Sequence, residues 1–262
     1  MFFSGDSLAL TAAQAACIAL PAAGLPRWAE RFRRRAWALV LPLSIAVVVA
    51  AIALVPSTAD VLTWIALLLV PVGCALALGW AARGSRPWLA PLAVPLLALA
   101  WVLPDHRVGQ AATTLLVAGS AVALGRLLAG AAPLTLLKLG VIAMATVDAI
   151  LVFSDNLQAP NAVLVAASPG AGLPQLQSGA FGFASLGYGD FFAAAVVGGI
   201  LAAERGPQVA AALGMVVVAL AWDQLFLIYD VLPATIPPAV VLVGVEVWRR
   251  ARALPARRVG VT

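Results

Sequence analysis

Nine apolar stretches divide the chain, most of them near the ~20 residues a helix needs to cross the hydrocarbon of a bilayer. They run over about 7–25, 37–55, 59–82, 88–104, 110–131, 133–154, 180–203, 207–229 and 232–248. A chain patterned this way does not fold as an ordinary water-soluble domain. Of its 262 residues 63% are hydrophobic and 10% charged, and the mean hydropathy is +1.04. The pattern predicts one all-α membrane domain over 1–262 with nine transmembrane helices: a five-helix scaffold (1–131) and a four-helix part (132–262) that carries the chemistry. The first stretch is the weakest, because Thr11, Gln14 and Pro21 interrupt it. The opening residues lack the basic cluster of a cleaved signal peptide, and none is predicted.

Charge placement orients the spans. Arg27, Arg31, Arg33, Arg34 and Arg35 crowd the first link, Arg83 and Arg86 the third, and Arg205 the seventh. Arg249, Arg250, Arg252, Arg257 and Arg258 follow the last span. The alternate links hold Asp60, Asp105, Asp155 and Asp230, with Arg107 their one basic residue. Basic residues stay in the cytoplasm, so the N-terminus is predicted outside and the C-terminus cytoplasmic. Arg126 and Lys138, inside span ends, read as side chains that snorkel to the same face. The net charge of +5 is therefore a topological signal, and the membrane-flanking arginines do not indicate nucleic-acid binding. Fifteen arginines against one lysine, with heavy alanine use, point to a GC-rich prokaryote and hence to its plasma membrane.

The chemistry lies in acids within apolar runs, where each is a functional-site hypothesis by default. Asp190 sits in Phe183–Phe192, ahead of an apolar run to Ala203, and reads as lying well inside the hydrocarbon. Gly187 and Gly189 beside it allow the backbone to bend and a neighbour to approach closely. Asp148 occupies the preceding span at a matching depth. Gly140, Met144 and Ala145 on one helix, and Gly187, Ala193, Ala194 and Gly198 on the other, predict faces that pack together. Two carboxyl groups meeting in low dielectric do not both ionise, and the pair shares a proton. That is the arrangement with which aspartic proteases activate water. Paired membrane acids also serve proton-coupled transporters, and a non-catalytic membrane scaffold is the third reading. Asp223, in the eighth span, is an alternative partner for Asp190 or else an interhelical hydrogen bonder. Asp230 is placed at the membrane interface. Cys17 and Cys74 read as small buried hydrophobes. Nothing in the sequence calls for a metal or a cofactor: no Cys or His cluster has ligand spacing, and no Ser/His pair lies in neighbouring spans.

Gly187-Tyr188-Gly189-Asp190 resembles the GxGD signature of the presenilin and signal peptide peptidase group of intramembrane aspartyl proteases. As in that family, an aspartate precedes it by one span, here Asp148, and the two fall in spans six and seven of nine. Leu232-Pro233-Ala234-Thr235 resembles the family's Pro-Ala-Leu motif at the start of the last span. Two positions depart from it. Val147 stands where the family has tyrosine, and Thr235 where it has leucine, which raises the question whether Thr235 adds a hydrogen bond. The likeness covers about 133–248. It implies an intramembrane endopeptidase with Asp148 and Asp190 as its catalytic pair. It also implies Gly187, Tyr188, Gly189 and Leu232 to Thr235 around the substrate, and membrane-protein or signal-peptide-like transmembrane segments as substrates. The outside-first orientation is that of signal peptide peptidases and implies substrate helices with a cytoplasmic N-terminus. Prepilin peptidases also carry GxGD, but there a lysine usually follows; here Phe191 and Phe192 do.

Two irregular segments complete the expectation. Pro233, Pro237 and Pro238 keep 232–238 from starting as an ordinary helix. Irregular backbone at membrane depth belongs beside protein or an aqueous cavity, where it is able to take a substrate as an added strand. Residues 155–179 contain no Lys or Arg but three prolines and several glycines, which predicts a lid or substrate-access segment and no continuous helix.

Overall fold

A computed structural model describes residues 5–23, 31, 34–154, 157–170, 172–229 and 231–253. A helix stands at each of the nine apolar stretches. These are α1 (Gly5–Ala19), α2 (Val40–Leu54), α3 (Thr58–Leu76), α4 (Ala93–Val102) and α5 (Arg107–Ala131). α6 (Leu134–Phe153) is followed by the short α7 (Gln158–Ala166), then by α8 (Tyr188–Ala203), α9 (Gln208–Trp222) and α10 (Ile236–Ala253). Further turns lengthen several of them: tight 3-10 turns at Arg35–Leu39 and Pro87–Leu92 lead into α2 and α4, one at Asp223–Leu227 prolongs α9, and a wider π turn at Ala77–Ala81 prolongs α3. Five of the resulting helices are long and apolar enough to cross a membrane: Arg35–Leu54, Thr58–Ala81, Arg107–Ala131, Leu134–Phe153 and Gln208–Leu227. Leu54, Leu68, Val94 and Val217 stand outward on them and on α4, each more than half exposed. An apolar surface of that extent is one that lipid, and not water, solvates.

The fold is built around α5 and α8. In α8 every residue from Phe191 to Ala202 is buried, the mark of a helix enclosed by protein on all sides. Glycines permit this. A Cβ on Gly125 of α5 would lie 2.5 Å from the backbone of Ala195, and one on Gly198 would lie 2.6 Å from the carbonyl oxygens of Cys17 and Ile18 in α1. α8 is thus wedged between α5 and α1 with backbones in near contact.

The helix ends meet in two layers. At one end the N–H of Ala22 donates to Ala81, that of Arg83 to Leu20, and that of Arg34 to Ala131. The Gln208 amide there donates to the carbonyls of Ile18, Pro21 and Gly198, and its oxygen accepts from Arg83. Lys138, Glu204, Glu246 and Arg249 form an ionic cluster at the same end. At the opposite end Asp6 of α1 pairs with Arg107 of α5 at 3.6 Å.

The structure corrects several expectations. The stretch 180–203 is not one helix, and the fold is not purely α. Ser178–Phe181 (β1) pairs antiparallel with Ala184–Gly187 (β2), and α8 begins only at Tyr188. The cause is local: Gly182, with φ of 60°, takes the first position of a two-residue hairpin turn that a residue with a Cβ disfavours. The hairpin is seated on α5, where Gln110 Oε1 accepts from Gly182 N–H and Thr114 donates to the Ala180 carbonyl. Gly140 and Gly198 do not form the α6–α8 seam. Gly140 receives Ala38 and Leu41 from the start of α2, and Gly198 receives α1. Lys138 and Arg126 lie at the end where they were expected, but protein takes up their charged heads: Lys138 is held in the ionic cluster, and Arg126 is buried, with its guanidinium 5.2 Å from the Trp80 ring and donating to the Ala23 carbonyl. Pro237 and Pro238 fall in the first turn of α10, where the missing N–H groups cost nothing. Asp155, Asp230, Arg27, Arg33, Arg257 and Arg258 lie outside the described residues.

Candidate active site

Asp148 projects from the second half of α6 into the protein, 7% exposed. Its Oδ2 accepts a hydrogen bond from the Thr235 hydroxyl at 2.6 Å, and the Thr235 backbone N–H is turned to the same carboxyl. Thr235 closes the non-helical run that precedes α10 and is itself buried. A buried hydroxyl that finds no partner is costly, and Asp148 supplies that partner.

Asp190 is the third residue of α8, in its first turn, and is half-buried. It does not sit in mid-helix as the apolar run suggested. The chain leaves β2 at Gly187, and Asp190 Oδ2 accepts the Gly187 N–H at 3.1 Å, closing the helix end on itself. A carboxylate in a first turn also faces the positive end of the helix dipole. A Cβ on Gly187 would stand 3.4 Å from the Asp190 carboxyl, and one on Gly189 3.7 Å from the Met144 methyl of α6, both ordinary contact distances that by themselves do not demand glycine.

Asp148 and Asp190 line one cavity of about 610 Å3 and lie within Coulombic reach of each other. Tyr188, Gly187, Gly189 and Thr235 share its wall. The Tyr188 hydroxyl is 3.0 Å from Ser120 Oγ on α5, which fixes the ring beside the acids. Away from this polar floor the cavity is apolar and runs between α2 and α3, past Val48, Ile52, Leu62 and Leu69. α7 borders it, with Val163 and Leu164 packed on the cluster of Ile52, Ala59 and Ala167 that Val48 and Leu62 also join. Gln175 and Gln177 hold α7 from below through the carbonyls of Leu164 and Ala167. The segment expected as a lid or access element is therefore a docked helix bordering the cavity.

Other candidates separate from this site. Asp223 does not line the cavity and is paired with Ser7 of α1, an interhelical bond of the kind anticipated for it. Leu232 and Pro233 are buried and do not line the cavity. Cys17 and Cys74 are buried thiols pointed at the carbonyls of Ala118 and Leu115.

No family model, curated protein or solved structure matches the chain.

One site residue escaped the sequence reading. Gln14 of α1 is 4% exposed, and its amide donates to the carbonyl oxygens of Asp190 at 3.2 Å and of Ala234 at 3.1 Å. It joins the backbone of one acid to the loop that holds the other. The signal was present as a lone amide in an apolar stretch, which needs buried partners just as an acid does.

Proposed function

We propose that the chain is an intramembrane aspartyl endopeptidase of the GxGD type that hydrolyses peptide bonds within transmembrane segments, with Asp148 and Asp190 as its catalytic pair. The observation that carries this reading is that two carboxyl groups, 42 positions apart in sequence and on different helices, line the wall of one cavity, each with one oxygen tethered by a donor. In that pair one carboxylate removes a proton from water as the water oxygen bonds to the scissile carbonyl carbon. The acid partner gives its proton to the carbonyl oxygen. The tetrahedral diol then collapses. The C–N bond breaks, the nitrogen takes up the proton drawn from water, and a diol hydroxyl returns a proton to the other carboxylate. The products are a carboxylic acid and an amine.

The surroundings suit such a substrate. The cavity between α2 and α3 is lined by apolar side chains, which suits those of a transmembrane segment, and among the described residues β2 pairs only with β1, so no second strand pairs with its other edge. A substrate unwound from its helix can add to that edge and present its carbonyls to the acids. Nine crossings with the N-terminus outside fit the two layers of helix ends. The Arg34, Arg83 and Arg249 end is the cytoplasmic one, and the Asp6 and Arg107 end is the outer one. On this reading the protein resides in a prokaryotic plasma membrane and takes substrate helices whose N-termini are cytoplasmic.

Purified protein in lipid vesicles, given single-span peptides in both orientations, tests the proposal. Cleavage is expected for one orientation only, blocked by an aspartyl-protease transition-state inhibitor and absent in Asp148→Asn and in Asp190→Asn. Cleavage that survives in either variant removes the pair from the mechanism.

A further inference from the structure

The family's motif places leucine where this chain has Thr235, and a leucine side chain makes no hydrogen bond. Here the side chain is 2% exposed and its hydroxyl lies 2.6 Å from Asp148 Oδ2. The preceding residue is fixed as well, because the Ala234 carbonyl accepts from Gln14. A line of bonded groups thus runs from α1 through the loop before α10 to the carboxyl on α6, and Thr235 is its last link.

We infer that Thr235 is a positioning residue for Asp148, an inference that rests on the protease reading above. By occupying Oδ2 it turns Oδ1 toward the cavity and sets which oxygen meets water. Asp190 is arranged in the same way by different means, its Oδ2 held by the Gly187 N–H. Each acid then offers one oxygen to the shared proton and the water. When Asp148 accepts a proton from water the new O–H forms on Oδ1, the bond from Thr235 to Oδ2 persists, and the same proton leaves with the amine nitrogen. No atom of Thr235 is consumed, and the hydroxyl acts only through Asp148. A carboxyl at the end of a helical side chain has several rotamers, and freeing Oδ2 lets the pair drift from the geometry both proton transfers need.

Two variants of the full chain in lipid vesicles separate this role from packing. Thr235→Val keeps the shape and removes the hydroxyl; Thr235→Ser keeps the hydroxyl and removes a methyl. kcat and KM for a single-span peptide and the thermal midpoint are measured for both, beside Asp148→Asn. The expected result is a fall in kcat of roughly tenfold to a hundredfold in Thr235→Val, with KM within about twofold of the parent, and near-parental kcat in Thr235→Ser. Full activity of Thr235→Val beside inactive Asp148→Asn overturns the Thr235 inference and leaves the protease reading standing. Equal losses in Thr235→Val and Thr235→Ser that track a lowered thermal midpoint also overturn it, since packing then explains them. A parent protein that cleaves no such peptide removes the protease reading and this inference together.

Discussion

Gln14 donates its side-chain amide to the main-chain carbonyl of Asp190 at 3.2 Å, across 176 positions of sequence. The same nitrogen reaches Ala234, so the N-terminal helix belongs to the site although it contributes no acid. Its amide is a spacer between the first turn of α8 and the irregular loop before α10. The Asp190 carbonyl also belongs to the ladder of α8, whereas the Ala234 carbonyl lies outside any helix, and an unpaired buried carbonyl costs about 1–3 kcal/mol.

Replacing Gln14 with leucine keeps the volume and removes both bonds. The expected loss of stability is about 1–3 kcal/mol, because the Ala234 carbonyl is left to find a partner within a tightly packed region while that of Asp190 keeps its place in the ladder of α8. Peptide cleavage is expected to fall with it, since the distance between Asp190 and the Thr235 loop is no longer set. Thermal unfolding and cleavage rates of Gln14→Leu check both; a variant that matches the parent in each would show that the bridge is incidental.

How far the sequence foretold this arrangement depends on the kind of signal. Helix positions were readable because apolar runs of this length favour helices, and a helix stands at each of the nine runs, five of the helices being long and apolar enough to cross a membrane. Asp148, Asp190 and Thr235 were readable because an acid or a motif residue stands out against leucine and alanine. The β hairpin was not. Ala180 to Gly187 is as apolar as a helix, and a short apolar run carries no periodicity that separates strand from helix. Gly182 held the information, but only its positive φ shows that it is a turn. The roles of Gly140 and Gly198 were hidden for a related reason. A small residue says that something approaches closely and not what approaches, and here α1 and the start of α2 come close instead of the opposite acid's helix. The ion pairs of Lys138 were hidden because its partners Glu204 and Glu246 lie far away in sequence.

A pair of carboxyls that shares one proton works only while it holds one. Cleavage is therefore expected to follow a bell-shaped dependence on pH, falling on the acid side as both groups take protons and on the alkaline side as both lose them. Initial rates across the pH range, in vesicles buffered on both faces, give the profile. A rate that rises to a plateau and stays there would mean that one ionisation governs the reaction, and not a coupled pair.

The glycines divide into two groups with opposite expectations. Alanine at Gly198 would drive a methyl to within 2.6 Å of the Cys17 and Ile18 carbonyl oxygens, and alanine at Gly125 would press on the backbone of Ala195. Main chain does not swing aside as a side chain does, so each is expected to cost at least about 1–3 kcal/mol. Gly214 of α9 and Gly244 of α10 have nothing within 4 Å of the same methyl, and alanine there is expected to be neutral or to stabilise by about 0.5–1 kcal/mol. Unfolding midpoints of the four variants read the contrast. A Gly198→Ala protein as stable as Gly214→Ala would contradict the close packing of α8 on α1.

The ionic cluster joins the three helices that carry the site at the end away from the acids. Lys138 of α6 lies 2.6 Å from Glu204, just past α8, and 2.7 Å from Glu246 of α10, while Arg249 pairs with both glutamates. With the Lys138 and Glu204 side chains 18% and 17% exposed, water screens this pair less than it would on an open surface. A double-mutant cycle on Lys138→Met and Glu204→Gln is therefore expected to give a coupling of about 1–3 kcal/mol, above the ~0.2–1 kcal/mol of an exposed pair. The two single variants should each be less stable than the double variant implies by addition, since each strands a charge among the remaining three. Lys138 stands ten positions before Asp148 on one helix, about 15 Å along its axis, so kcat in the folded fraction is expected to hold. A coupling near zero would reduce the cluster to a surface feature, and a large loss of kcat at full stability would mean that the helix ends communicate with the acids.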